Sequence, residues 1–185
     1  MSEETNYGPL THLIGTWKGT EGIDIAPEPD GVEENPYYET IEYVAAGDVT
    51  NAEAQTLAIL RYHQVVKRKS NDKIFHDEVG YWMWDANTDI IVHSLAIPRA
   101  VCVLAGGHYT HKTENNSHCF EVSASEGDED WQIIQSPFMK EKAKTKSFHH
   151  SISIQNNIMT YKETTILDIY GKDFEHVEEN TLSKE

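Results

Sequence analysis

Apolar and polar residues alternate with a period near two through most of this chain, and that pattern predicts β-strands. Glu78–Trp84 is aromatic and β-prone, Asp85–Asp89 has the chemistry of a turn, and Ile90–Ile97 is the next strand, so these form a hairpin. Val101–Ala105 follows, closed by Gly106-Gly107, and Cys119–Ala124 is expected to pair with it. Lys144–Ile154 alternates, Gln155-Asn156-Asn157 turns the chain, and Ile158–Ile169 runs back. Ile25–Pro36 holds three prolines without apolar periodicity and reads as a loop. Thr110–His118 reads as a hairpin tip and Ser125–Asp130 as an acidic turn. Helix is scarce: Tyr7–Ile14 suits a short helix or 3₁₀ turn ended by Gly15, and Phe174–Glu179 suits a strand or a single turn.

Many short antiparallel strands in 185 residues predict an all-β fold, a single antiparallel up-and-down β-barrel of the calycin or lipocalin kind, in one domain over residues 1–185. Closure removes exposed sheet edges, and eight to ten strands enclose about one small ligand. Hydrophobic residues make up 38% and charged residues 25%, enough for a packed core and against disorder. No run approaches 18 apolar residues, the length a membrane helix requires. The opening Met-Ser-Glu-Glu lacks a basic and an apolar region, so no signal peptide and a cytoplasmic location are expected.

A formal net charge of −16 makes nucleic acid and anionic membranes poor partners. Lys67, Arg68, Lys69 and Lys73 form the one basic run, expected at a solvated hairpin tip. Cys102 and Cys119 lack C-x-x-C spacing, so a cysteine zinc site is not indicated and buried strand thiols are expected. There is no G-x-S-x-G, no H-E-x-x-H and no P-loop, which argues against ordinary hydrolysis. His149 and His150 are adjacent on a strand, so their side chains face opposite ways.

Several segments, read in order, carry a more specific signal. Gly15-Thr16-Trp17-Lys18-Gly19 has the G-x-W form in which tryptophan plugs the closed end of a barrel. Tyr37–Tyr43, Leu60–Gln64, Ile74–Trp82 with the run His76-x-Glu78-x-Gly80-Tyr81, and Ala96–Gly107 follow. This order resembles the nitrobindin family of fatty-acid-binding-like, heme-binding β-barrels over most of Gly15–Lys184. The resemblance implies a barrel of about ten strands binding heme b, with one axial histidine near the C-terminus and an open sixth position that takes nitric oxide or peroxynitrite. By that resemblance His176 is the metal ligand. His76 and Phe75 stand where the family has M-H, with His76 at the distal face or a propionate, and Thr40 and Ile41 match the family's T-I at the wall. An enzymatic role, peroxynitrite isomerisation, is conditional on heme, and the family's dimers make a homodimer an expectation. The chain departs from the pattern in an insert before Tyr37, in Arg99 where the family is small or neutral, and in one extra residue between His176 and Leu182. The alternative is a metal-free carrier of a fatty acid or other hydrophobic metabolite, for which Arg61 and Arg99 are the arginines near the expected walls.

Overall fold

A computed structural model describes residues 5–185, so the acidic opening Met1–Glu4 read above lies outside the described residues. A 3₁₀ turn, Gly8–His12, leads into β1 (Gly15–Glu28), β2 (Gly31–Asn51), β3 (Gln55–Arg68), β4 (Ile74–Asp85), β5 (Ile90–Ile97) and β6 (Val101–Lys112). Then come β7 (Ser117–Ser125), β8 (Ile133–Gln135), helix α1 (Pro137–Lys142), β9 (Ala143–Gln155), β10 (Ile158–Ile169) and β11 (Lys172–Lys184). Ten of these strands close an antiparallel barrel in the order β1-β2-β3-β4-β5-β6-β7-β9-β10-β11 and back to β1, with β8 laid against the first residues of β6. Among the described residues no helix is long and apolar enough to cross a membrane.

Turn chemistry sets the register. Asn156 and Asn157 both hold positive φ (52° and 63°) in the two-residue loop between Gln155 and Ile158. Two consecutive positive-φ residues twist with the strands they join, which is why asparagine is favoured there. Tyr170 and Gly171 make the equivalent turn between β10 and β11.

Ile25–Pro36 is no loop but the end of the β1–β2 hairpin, with Pro27 paired to Val32 and Pro36 to Ile23. The missed signal is Pro29-Asp30-Gly31, a tight-turn sequence between Glu28 and Val32. Pro27 is tolerated because this stretch of β1 is an edge: the β1–β11 ladder consists of Trp17↔Lys184 and Lys18↔Ser183. β6 also continues through Gly106-Gly107, so the strand expected to end there does not. Gly106–Lys112, not Val101–Ala105, pairs with β7. Glycine is required at position 106 because the Trp131 indole lies on its backbone where a Cβ would stand. Cys102 is exposed rather than buried, since Val101 and Val103 take the inward positions on either side of it.

Apolar inward residues fill one end of the barrel. Trp17, Leu10, Leu13, Leu60, Trp82, Ile91, Phe120, Met159 and Leu182 are fully buried there, and Trp17 Nε1 donates to Leu13 O at 2.7 Å. Above this floor lies a polar layer: the Glu39 carboxylate accepts from Gln64 Nε2 (2.6 Å), Asn180 Nδ2 (2.6 Å) and Tyr161 Oη (3.0 Å). Along β11 the inward face therefore reads Leu182, Asn180, Glu178, His176, from apolar floor to open end.

Candidate functional site

Alternation on each strand aims every second side chain at the hollow above Glu39, and that hollow is a cavity of about 340 Å³. Its two sides differ in chemistry. Leu95 and Ile97 of β5, Val101 and Val103 of β6, and Phe148 of β9 make an apolar wall. Across the barrel, Asp24, Glu163, His176 and Glu178 make a polar one, while His76 and Glu78 stand on β4, next to β5. β11 lies diametrically opposite β5 in the ten-strand ring, so the polar and apolar walls face each other.

Imidazole–carboxylate pairs stand on both sides of the hollow. His176 Nε2 lies 2.8 Å from Asp24 Oδ1 and 3.7 Å from Glu178 Oε1. His76 Nε2 lies 3.5 Å from Glu78 Oε2, and Tyr62 Oη donates to Glu78 Oε1 at 2.5 Å. His93 Nε2 meets Tyr62 Oη at 2.8 Å while its ring stacks on Trp82. His150 Nδ1 lies 3.0 Å from Glu163 Oε2 without the alignment of a hydrogen bond, and neither nitrogen of this buried ring has a partner.

Burial and charge pull the titrations apart. Burial, then repulsion from Glu163, pushes the Glu178 carboxyl up to about 7. Burial likewise raises Glu39 to about 7, against its hydrogen-bond donors. Burial disfavours a charged His76, but Glu78 outweighs it and lifts His76 to about 9. Burial also opposes charge on His176, and there the Asp24 hydrogen bond and the field of Glu178 prevail and raise it. His93, buried and beside His150, falls to about 3 and is neutral.

The expected site residues divide in two. His176, His76 and Phe75 all line the cavity. Thr40 and Ile41 do not. Thr40 faces away from the interior, and Ile41 is buried in the apolar floor among the core residues. The inward positions of β2 at this level are Tyr37, whose ring meets that of cavity-lining Phe75 edge-on at 6.1 Å, and Glu39 below it. His149 and His150 do face opposite ways, with His150 inward.

Two arginines occupy the mouth. The Arg68 guanidinium lies 5.0 Å over the Phe75 ring, with its Nε buried and unpartnered and its Nη2 3.9 Å from Glu33 Oε2, so this member of the basic run lies at the cavity rim rather than solvated at a hairpin tip. Arg99 Nη2 donates to Phe75 O at 3.2 Å, whereas Arg61 lies on the outer surface. Met139 of α1 closes the same end; Ser136 caps that helix through Met139 N, with Pro137 in its first turn, a start signal that Ser136-Pro137 carries in the sequence. Asp24 went unrecognised because it falls beside the misread hairpin. Glu163 and Glu178 had a usable signal: each stands two residues from another inward polar or aromatic group, Tyr161 and His176.

Residues 6–184 match the model of the THAP4-like, heme-binding β-barrel domain family. The chain belongs to this family. The barrel is accordingly a ligand-binding one, and the THAP4-like name points to heme as the class of ligand. The crystal structure of Rv2717c from M. tuberculosis is similar with a TM-score of 0.73 and 17% sequence identity, over 98% of this chain and 99% of that chain. That likeness is one of fold. No curated protein sequence matches the chain.

Measured against the THAP4-like family's ligand, the cavity fits in three respects. It holds an imidazole on the polar wall, it offers an apolar wall opposite, and the Arg68 and Arg99 guanidiniums stand at the mouth, where acidic substituents of a flat apolar ring would be paired. The His176 imidazole is held by Asp24 through Nε2 at 2.8 Å.

Proposed function

We propose that this barrel binds heme b in its upper cavity with His176 as the one protein ligand to iron, His76 and Phe75 lining the site, and Arg68 and Arg99 pairing the propionates. The observation that carries this reading is the placement of His176 on β11, directly across the hollow from Leu95, Val101 and Val103, so that a flat apolar group between the two walls meets one imidazole. Bound there, the group would supply an iron with an open position for nitric oxide or peroxynitrite, and peroxynitrite isomerisation is the enzymatic role this reading allows. The protein's own part is burial, orientation and charge. The apolar wall excludes water, the two guanidiniums fix the ring's acidic edge, and Asp24 governs whether Nε2 is protonated. Titration of the purified protein with hemin, followed by the Soret band, tests it. A saturable band that shifts and weakens at least tenfold in affinity in His176→Ala is expected; an identical band in both proteins would overturn the assignment.

A second reading rests on the buried, unpartnered Arg68 Nε: a metal-free carrier whose apolar ligand ends in a carboxylate. It predicts a co-purifying acid in native mass spectrometry, lost in Arg68→Met, with no hemin binding.

A further inference from the structure

A series of aromatic rings runs down the barrel from the cavity to the closed end. It starts at Phe148 in the cavity wall, whose ring lies 6.0 Å from that of His93. His93 stacks on Trp82 at 4.2 Å, Trp82 meets Phe120 edge-on at 6.1 Å, and Phe120 lies 5.3 Å from Tyr109. These are the centroid distances of aromatic rings in contact. The last step is polar: Tyr109 Oη lies 2.7 Å from His118 Nδ1.

The chemistry at that outer end has a direction. Burial, then His111, lowers the pKa of His118, and burial raises that of Tyr109, so near neutral pH a neutral imidazole faces a protonated phenol. The phenol donates and Nδ1 accepts. His118 is half-exposed, with the rings of His12 and His111 stacked on it at 3.3 Å and 4.7 Å, so a proton taken from Tyr109 has a way out to water. A tyrosine gives up an electron readily only if its phenolic proton leaves as well, because the oxidised phenol is a strong acid. The phenols nearer the cavity lack that outlet. Tyr62 is tied to Glu78 and His93, and Tyr161 to Glu39, and all five groups are buried.

We propose that Tyr109 and His118 form a one-electron redox site, joined to the cavity through Phe120 and Trp82, by which an electron from a reductant in solution reaches an oxidised porphyrin. It rests on the heme reading for the identity of that cofactor. In the step, one electron passes from Tyr109 by way of Phe120 and Trp82 to the oxidised porphyrin, and the phenolic proton passes to His118 Nδ1. The products are a neutral tyrosyl radical, an imidazolium and the porphyrin reduced by one electron. A reductant of the ascorbate class then gives one electron to the radical while the imidazolium returns the proton, which restores both side chains.

The test loads the full chain with zinc protoporphyrin and oxidises the porphyrin with a light flash, using a cobalt(III) pentaammine complex as the irreversible electron acceptor. Decay of the oxidised porphyrin together with growth of a tyrosyl EPR signal is expected. Tyr109→Phe, which removes one hydroxyl, should abolish the signal and slow the decay about tenfold. His118→Phe keeps a ring in the stack but removes the proton acceptor, and should slow the decay as far. Deuterium oxide should slow the parent and not that variant. Tyr81→Phe, on the outer face of β4, should change nothing. Equal decay in the parent and Tyr109→Phe overturns the proposal, as does a signal that survives Tyr109→Phe and vanishes in Tyr62→Phe or Tyr161→Phe; in both cases the bound porphyrin leaves the heme reading standing. Failure to take up the porphyrin is a failure of the heme reading, and the redox pair is then decided on the unloaded chain with photo-oxidised tris(bipyridine)ruthenium. A tyrosyl signal lost in Tyr109→Phe upholds the pair, and one unchanged there overturns it.

Discussion

Asp24 on β1 and His176 on β11 join by a 2.8 Å hydrogen bond across the stretch of the barrel wall where their strands share no ladder. A side-chain pair thus does at this level what backbone pairing does at Trp17 and Lys18, and it holds the imidazole at the cavity surface. Removing Asp24 should lower the His176 pKa, because burial then acts with less opposition. We expect the imidazole titration followed by NMR to move to lower pH in Asp24→Ala. The freed, neutral Nε2 should raise hemin affinity severalfold. A His176 titration unmoved in Asp24→Ala would show that the pair does not set it.

Stability should decline from mildly acidic to alkaline pH. Glu39 and Glu178 have folded pKa values of about 7, above the ordinary 4.5, so the folded state holds their protons more tightly. Their contribution is greatest below about 4.5 and is lost as pH rises to 7, at up to about 1.4 kcal/mol per unit for each group. His76, at about 9, is charged in the fold, and its contribution is complete below 6.5 and lost between 6.5 and 9. Glu78, held low mainly by His76 against its burial, and His93, neutral in the fold at about 3, act in the other direction: Glu78 loses its contribution as pH falls below 4.5, and His93 loses its contribution as pH falls below 6.5, offsetting one of the two glutamates. Denaturant midpoints should therefore peak near pH 5, and Glu39→Gln should flatten the fall between pH 4.5 and 7. A midpoint that climbs from pH 5 to 9 would refute this.

At the mouth, Arg68 should matter through its guanidinium and not its bulk. Charge-assisted hydrogen bonds contribute about 1.5–3 kcal/mol, so Arg68→Met should weaken hemin binding roughly ten- to a hundredfold. Hemin dimethyl ester, which lacks the acidic groups, should bind the variant and the parent equally. A matching loss for the ester would assign Arg68 a packing role over Phe75.

The closed end depends on Trp17, which is fully buried with its indole N–H on Leu13 O. Trp17→Ala should cost about 3–5 kcal/mol through the cavity it opens and the carbonyl it leaves unpaired. Urea unfolding would measure it, and a loss under 1 kcal/mol would mean the floor can collapse around the gap.

Close packing makes Gly106 a second packing test. A Cβ there would overlap the Trp131 indole, so Gly106→Ala should displace the ring and cost about 1–3 kcal/mol. Trp131 fluorescence should shift to the red as the ring gains water, and an unchanged spectrum with unchanged stability would refute the contact.

Local chemistry by itself determined the strands, most of the turns and the barrel. Period-two alternation in Ile90–Ile97 or Ile158–Ile169 has one physical meaning, a pleated surface with one buried face, and Asn156-Asn157 admits one tight turn. The imidazole near the tail was legible as well, through an ordered set of motifs. What the tertiary structure alone decided is which side chains meet. Asp24 and His176 are 152 positions apart, and their hydrogen bond exists because the ring closes β1 against β11. Thr40 and Ile41 were misplaced because the parity and depth of a strand position depend on the register of the whole sheet, which put Thr40 outside and Ile41 in the floor. The acidic wall likewise draws one or two residues from each of several strands, so its charge density arises only once the barrel has closed.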